Sequence, residues 1–572
     1  MQKFNIQVGI MHGFRPFLFQ HNDSMPVFYH SSSFGVLQDI ALFKSLGWIA
    51  RIILLKWSYY DFEFAMSFLN TFTENVRLFP NKVALEFIDP PLQRVTYAEL
   101  DQLVAQTAGY LQSLGLQPGD RVALQLSKSL EFILVHLATI RLGAITLPLN
   151  LAYPPDEVEY FLSDSGAKLF FALESAKGKI QSILPRLPEL QKSVLLDPGS
   201  PDRFQTLITS YHLPGSPHEA ANLSDTAVII YTSGTTGRPK GAEITHGNLS
   251  SNLESLHEAW GWQSEDILLH VLPIFHVHGL FVALHGALHA GATTLLMREF
   301  DARRTLQMLA AGQCTVFMAV PTIHQRLLDV PDAGQFDLSR VRLITSGSDR
   351  LPDEIFAGFQ QAFGYTLLER YGMTETGMNC SNPLNGERRL GSVGLPLAGV
   401  EVRVVNPEND QSLPDGEIGE VQLRGPNIFK GYWKQPHKTT ESFTADGWFR
   451  TGDLGFREPD GYLTLCGRSK DLIISGGLNI YPPEVERVLA EHPSVAACAV
   501  IGCPDREWGE SVTAVVVVYG GESVSSADLI AFCRERLAPY KSPKSIVFKE
   551  DLPRNAMGKV QKTELRKIVC SK

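Results

Sequence analysis

Cysteine is scarce in this chain: seven residues among 572, odd in number and scattered. They show neither a disulfide framework nor metal-ligand spacing, so a reducing compartment is expected. Positive charge is also short, with 51 Lys and Arg against 61 Asp and Glu and a net charge of −10. That balance argues against nucleic acid as a partner, since a phosphate backbone wants a basic surface. A membrane span needs about 20 apolar residues with few charges. The candidate at 41–60 is interrupted by Lys44, Arg51 and Lys56, and no firm membrane association is expected. A secretory leader would carry its positive end first and a small-residue cleavage site after its apolar core, and neither is clear. Internal repeats and low-complexity tracts are missing too. None of these absences names an oligomeric state.

What is present points to a globular protein of more than one domain. The length exceeds one ordinary domain, and 44% hydrophobic with 20% charged residues suits a soluble fold. From about residue 96 helical patterns alternate with short apolar strands. Residues 97–114 read as an amphipathic helix, 121–126 as a strand, 131–142 as a helix and 144–149 as a strand. Such alternation argues for α/β layers with largely parallel sheets. After 482 the pattern changes to a smaller α+β unit, with helices near 484–491 and 526–537 and strands at 495–501 and 511–518.

The densest chemical signal is 231–241, Y-T-S-G-T-T-G-R-P-K-G, which follows the apolar run 227–230. Gly234 and Gly237 allow main-chain N–H groups to converge on one spot. Thr232, Ser233, Thr235 and Thr236 add hydroxyls, and Arg238 and Lys240 add positive charge. Such a loop suits a polyphosphate. The common P-loop is excluded, because that pattern needs Gly-Lys-Ser/Thr and here Lys240 is followed by Gly241. Further on, 368–376 reads L-E-R-Y-G-M-T-E-T, 447–453 reads G-W-F-R-T-G-D, 467–473 reads G-R-S-K-D-L-I, and 552–560 reads L-P-R-N-A-M-G-K-V. Thr374 and Glu375 would suit a helix N-terminus, which attracts phosphate. His276 and His278 lie two apart, but no third metal ligand accompanies them.

Taken in order, these stretches resemble the adenylate-forming superfamily of acyl-CoA synthetases, peptide-synthetase adenylation domains and luciferases, from about Met66 onward. The resemblance implies ATP, Mg²⁺ and coenzyme A. It places Thr232, Ser233, Gly234, Thr235, Thr236, Gly237 and Lys240 on the ATP phosphates, joined by Thr374, with Gly372 among the cofactor-binding residues and Thr232 and Glu375 among the catalytic ones. Tyr371 is implied against adenine, Glu375 on Mg²⁺, Asp453 and Arg468 on the ribose, and Lys559 as the catalytic lysine of adenylation. Lys470 matches the hinge. The loop with Gly476 and Gly477 matches the one that swings in to line the pantetheine tunnel. His276 matches the border of the acyl pocket, Ser346 and Ser348 its floor, and Arg326 the arginine that holds a distal carboxylate in malonyl-CoA synthetases. Malonyl-type relatives usually follow that floor with a small apolar residue, whereas this chain has Asp349 and Arg350.

The fold implied is α/β: a large N-terminal domain of layered α/β sheets with a small β-barrel part, then a small mobile α+β C-terminal domain. The expected divisions are 1–65 as an extension, 66–467 as the AMP-binding domain, 468–471 as the hinge and 472–572 as the mobile domain. For the extension, a start at Met66 is preferred over a transit segment or interfacial helix. That makes the cytoplasm the expected location, with the mitochondrion the alternative. The implied reaction joins a small carboxylic acid to CoA through an acyl-adenylate, and 373–379 and 427–432 look most like malonyl-CoA (or methylmalonyl-CoA) synthetases. A medium- or long-chain fatty acid ligase is the alternative, and a stand-alone adenylation module loading a carrier protein is the alternative of another class.

Overall fold

The computed structural model describes residues 67–197, 199–211, 222–232, 238–520, 522–555 and 558–570. They belong to one compact unit, Ala65–Lys572. The expectations for 1–65 and for a start at Met66 fall outside the described residues, as do those for Ser233, Gly234, Thr235, Thr236 and Gly237.

Local chemistry explains most of the elements. The helix Tyr97–Ser113 begins at a capping box in which Thr96 and Glu99 satisfy each other's backbone N–H groups. The helix Leu130–Arg141 is capped by Ser129, and all of its residues are buried. It packs on the helix Tyr97–Ser113 and on strands Arg121–Gln125 and Ile145–Pro148, so an apolar surface all round is what it needs. The helix Pro321–Leu328 starts with proline in its first turn, where a missing N–H is harmless.

Among the described residues three sheets result. One has seven strands, in the order Gly431–Tyr432, Lys240–Thr245, Thr226–Thr232, Ile145–Pro148, Arg121–Gln125, Leu169–Leu173, Lys192–Leu196. Its last five strands are parallel to one another. The second path has thirteen strands. Its parallel centre includes Val316–Ala319, Leu343–Ser346 and Leu368–Met373, whose C-terminal ends therefore share one edge. Ligands gather at that edge in open α/β sheets. Beyond it the pairing turns antiparallel through Gly377–Ser381 and Ser392–Pro396 to Glu401–Val405. The small barrel expected from the sequence is thus not closed: those strands continue the large sheet as an open path.

The C-terminal α+β unit has five strands. Its central hairpin, Val495–Asp505 with Gly509–Val518, is longer than the sequence pattern suggested. The main chain stays paired past the last apolar residues. Helices Pro482–Ala490 and Ser526–Arg536 cover one face. On the other face Leu565 of the helix Lys562–Val569 joins a small core with Ile501 and Val515. Cysteine behaves differently from the expectation. Cys503 and Cys570 form a disulfide with Cα atoms 5.3 Å apart, joining positions 67 residues apart in sequence. Folding brings a scattered pair together that spacing alone does not reveal. Among the described residues no helix is long and apolar enough to cross a membrane, and no metal-binding cluster of three or more side chains occurs.

Candidate active site

Thr232 and Lys240 are cross-strand partners at the tip of an antiparallel hairpin, so the polyphosphate-type loop connects two strands. Lys240 lies with Nζ 4.0 Å from the centre of the Tyr432 ring. The Tyr432 hydroxyl donates to Glu375 Oε1 at 3.0 Å. One aromatic residue therefore links the base of the loop to the carboxylate implied for Mg²⁺. Burial, with the neighbouring Glu375 carboxylate, raises the Tyr432 pKa and keeps the phenol protonated.

Thr374 and Glu375 do not open a helix. They form the turn between the antiparallel strands Leu368–Met373 and Gly377–Ser381, with Gly372 just before it. Glu375 is buried, and its carbonyl accepts from the Phe429 N–H at 2.8 Å. A single hard carboxylate beside a phosphate loop fits Mg²⁺, which typically takes one or two protein carboxylates plus substrate phosphates.

Below this turn lies a closed set of partners. The Tyr371 hydroxyl donates to Asp453 Oδ2, and Asp453 Oδ1 sits 2.6 Å from Arg468 Nε. Asp453 and Arg468 face each other across the strands Phe449–Arg457 and Leu463–Arg468. Burial first, and the Asp453 carboxylate next, hold the Tyr371 pKa well above its ordinary value. The two ribose-binding candidates are brought together, and Tyr371 joins them through its hydroxyl.

The acyl side is built differently. His278 is buried, with Nδ1 3.2 Å from Ser348 Oγ, and Ser348 takes a left-handed φ of 72°. Ser346 ends the strand Leu343–Ser346 with its hydroxyl buried. Among the described residues, Ser346 Oγ, His278 Nε2 and His276 Nε2 find no hydrogen-bond partner. Desolvation lowers the His276 pKa to about 4 and that of His278 well below its ordinary value. Both imidazoles are therefore neutral near pH 7.

Beside them stands Arg370, which sequence reading missed. It is 2% exposed, and its Nε, Nη1 and Nη2 have no partner among the described residues. Gly347 makes room for it, because a Cβ there would come within 2.5 Å of its Cζ. Burial pulls the guanidinium pKa down to about 9, leaving it charged at neutral pH. A buried, unpaired cation is costly unless an anion joins it. The residue sits inside the 368–376 stretch already singled out. Strand alternation would have turned it away from Glu369 and Tyr371, but not shown what it faces.

Arg326 is on the exposed face of the helix Pro321–Leu328. It lines a cavity of about 910 Å³ together with Thr322, Arg554, Asn555 and Gly558. Lys128 also reaches this cavity; it is buried, donates to the Met297 carbonyl at 2.8 Å, and has its pKa pushed down to about 7 by desolvation. Lys559 stands at the N-domain side of its loop, with Nζ 3.7 Å from Asp349 Oδ1. Lys470 lies close enough for the Lys559 charge to disfavour its own. Burial is the larger cause of its lowered pKa, and Asp471 opposes the shift. Gly476 and Gly477, both at positive φ, make the tight turn between Ile473–Ser475 and Leu478–Ile480.

The sequence matches the AMP-binding enzyme family over residues 72–433 and the AMP-binding enzyme C-terminal domain over 484–559. The chain belongs to the AMP-binding enzyme family. It is 38% identical to the mitochondrial malonate–CoA ligase ACSF3 of Mus musculus over 510 residues, 82% of this chain and 86% of that one. It is also 38% identical to the oxalate–CoA ligase of Arabidopsis thaliana over 504 residues, 86% of this chain and 97% of the relative. The crystal structure of ATP-bound MatB from Rhodopseudomonas palustris superposes with a TM-score of 0.82 at 40% identity. That match covers 88% of this chain and 99% of MatB. As a family member, the chain has the two-domain adenylate-forming architecture, with layered sheets followed by a small C-terminal domain.

Proposed function

We propose that this protein is an ATP-dependent acid–CoA ligase that makes malonyl-CoA, or the thioester of a small 2-substituted malonate, through an acyl-adenylate. The observation that carries the substrate reading is Arg370: a charged guanidinium that, among the described residues, is buried without a partner, set beside neutral His278 and against Gly347, next to Ser346 whose hydroxyl also finds no partner there. A second carboxylate on the acid completes that pocket, and a planar guanidinium matches a carboxylate in two-point contact. An apolar acyl tail would leave the cation desolvated and unpaired, which disfavours the fatty-acid reading. The malonate and oxalate ligases among its relatives support a short dicarboxylate.

In the first step one carboxylate of the acid attacks the α-phosphorus of ATP, giving acyl-adenylate and pyrophosphate. Arg370 holds the other carboxylate, with Arg326 at the pocket entrance. Thr232 and Lys240 carry the ends of the loop that takes the phosphates, and Asp453 with Arg468 takes the ribose. Glu375 would hold Mg²⁺, which would supply positive charge to offset that of the phosphates. Lys559 stabilises charge gathering at the reacting phosphoryl group, so positioning and electrostatics do the catalytic work. In the second step the C-terminal unit turns at Lys470, withdraws Lys559 and brings the Gly476–Gly477 turn to the tunnel. The CoA thiol then displaces AMP. One moving unit lets a single site serve both half-reactions. The cationic lining of the large cavity by Arg326 and Arg554 suits the phosphates of CoA.

The deciding measurement is kcat/KM for malonate, oxalate, butyrate and octanoate in CoA-dependent AMP formation. Malonate is expected to lead, and a preference for octanoate overturns the assignment. Location follows the same reading: we infer the cytoplasm, with the mitochondrion as the alternative raised by the mitochondrial relatives. Fractionation of cells expressing the full chain separates the two.

A further inference from the structure

We propose that Asp349 is a positioning residue for Lys559. Its carboxylate parks the lysine ammonium at the mouth of the acyl pocket and so holds the C-terminal unit in the pose that makes the adenylate. The inference rests on the adenylation role given above to Lys559.

The two side chains come from positions more than 200 residues apart and meet with Nζ 3.7 Å from Oδ1. The loop that bears Asp349 touches both the pocket and the C-terminal unit. Ser348, immediately before it, faces His278. Arg350, immediately after it, donates from Nη1 to the Pro483 carbonyl at 3.4 Å and from Nη2 to Asp353 at 3.1 Å. The Leu351 N–H is fastened to buried Glu369 Oε1 at 3.0 Å, so the loop has a fixed base. On the opposite side, Gly558 lies so close to Thr322 that a Cβ there would come within 2.8 Å of its Cγ2. The Lys559 loop is thereby seated against the start of the helix Pro321–Leu328.

The strength of the pair fits a releasable hold. Asp349 and Lys559 are 42% and 47% exposed, and ion pairs that open to water contribute little. A strong buried pair would resist the rotation that the second half-reaction requires. An ammonium has three N–H donors, so Lys559 can keep Asp349 on one while it meets a phosphate oxygen with another. The carboxylate thus directs the lysine without sequestering it.

The test separates the two half-reactions in the full chain, by pyrophosphate release with ATP and malonate, and by thioester formation from supplied acyl-adenylate and CoA. Asp349→Ala should slow pyrophosphate release about two- to fivefold, the range open to an exposed ion pair. It should leave thioester formation unslowed, and Asp349→Glu should recover most of the loss. In a Lys559→Ala background, Asp349→Ala should add nothing. Full adenylation activity in Asp349→Ala, equal slowing of both half-reactions, or an undiminished effect in the Lys559→Ala background each overturns the proposal. A Lys559→Ala protein that still forms adenylate at the parent rate instead overturns the role of Lys559 itself.

Discussion

The proposed nucleotide side and acid side of the site each hold an arginine-bearing polar cluster, yet they treat hydrogen bonding in opposite ways. Around Asp453 the groups are already paired, with Tyr371 on one carboxylate oxygen and Arg468 on the other. Around Arg370 the guanidinium, two imidazole nitrogens and the Ser346 hydroxyl find no partner among the described residues. A paired cluster is stable as it stands and can meet a neutral diol by sharing its acceptors. An open cluster with a buried cation is incomplete until an anion enters, and it rejects a ligand that brings none. In the proposed function, the difference separates a scaffold for the constant substrate from a selector for the variable one.

The sharpest way to break that contrast is to remove each side in turn. Arg370→Met should lower kcat/KM for malonate by about 10²–10³, the loss typical of truncating one partner of a buried charged contact, while butyrate is barely affected. Asp453→Ala should depress all acids together. Equal effects of Arg370→Met on malonate and butyrate would remove the selector from the account.

Stability should move in opposite directions. Replacing a buried, unpaired cation by an apolar side chain of similar length is expected to stabilise the unliganded protein by about 1–3 kcal/mol. Asp453→Ala leaves the buried Tyr371 hydroxyl and the partly exposed Arg468 without their acceptor and should cost about 1–3 kcal/mol. Urea denaturation without ligands reads both, and excess malonate should raise Tm in the parent but not in Arg370→Met.

Acid should weaken the molecule through the acyl side. His276, with its folded pKa near 4, stays neutral where the unfolded chain takes up a proton. Such a base contributes full stability above its unfolded pKa of 6.5 and loses it as pH falls from there toward 4. His324, also held near 4, behaves alike. Each is expected to add about 1.4 kcal/mol per pH unit to the slope within that window. His276→Gln should flatten the slope by one proton, as measured by urea midpoints between pH 7 and 5. The smallest change expected is in Tyr432→Phe, which removes one hydrogen bond to Glu375 and leaves the ring under Lys240. An effect of about 1 kcal/mol on ATP use, the same for every acid, would place it with the nucleotide side.

Much of this was legible before any coordinates. The alternation from residue 96 onward carried the α/β layers, and the helix and strand ends at Thr96, Ser113, Arg121 and Gln125 fell within about a residue or two of the expected ones. Apolar periodicity and caps are local, so they survive without knowledge of the fold. The hairpin turn at Thr374–Glu375 was less legible, because Thr and Glu suit a helix start equally well and only strand pairing with Gly377–Ser381 decides between them. The open path of the antiparallel strands was hidden for the same reason: closure depends on which strand edges meet.

The sequence by itself determined the local elements and the stretches that carry the chemistry, because propensities, caps and contiguous motifs act over a few residues. Tertiary structure alone decided the partners. Among the described residues it left Arg370 unpaired in the core, and it set Arg326 on an exposed helix face that lines the large cavity. It set Tyr432 between Lys240 and Glu375, joined Cys503 to Cys570, and brought Asp349 to Lys559. The physical reason is that a side chain's period along the chain tells which way it points, whereas its charge and reactivity depend on what packing places opposite it.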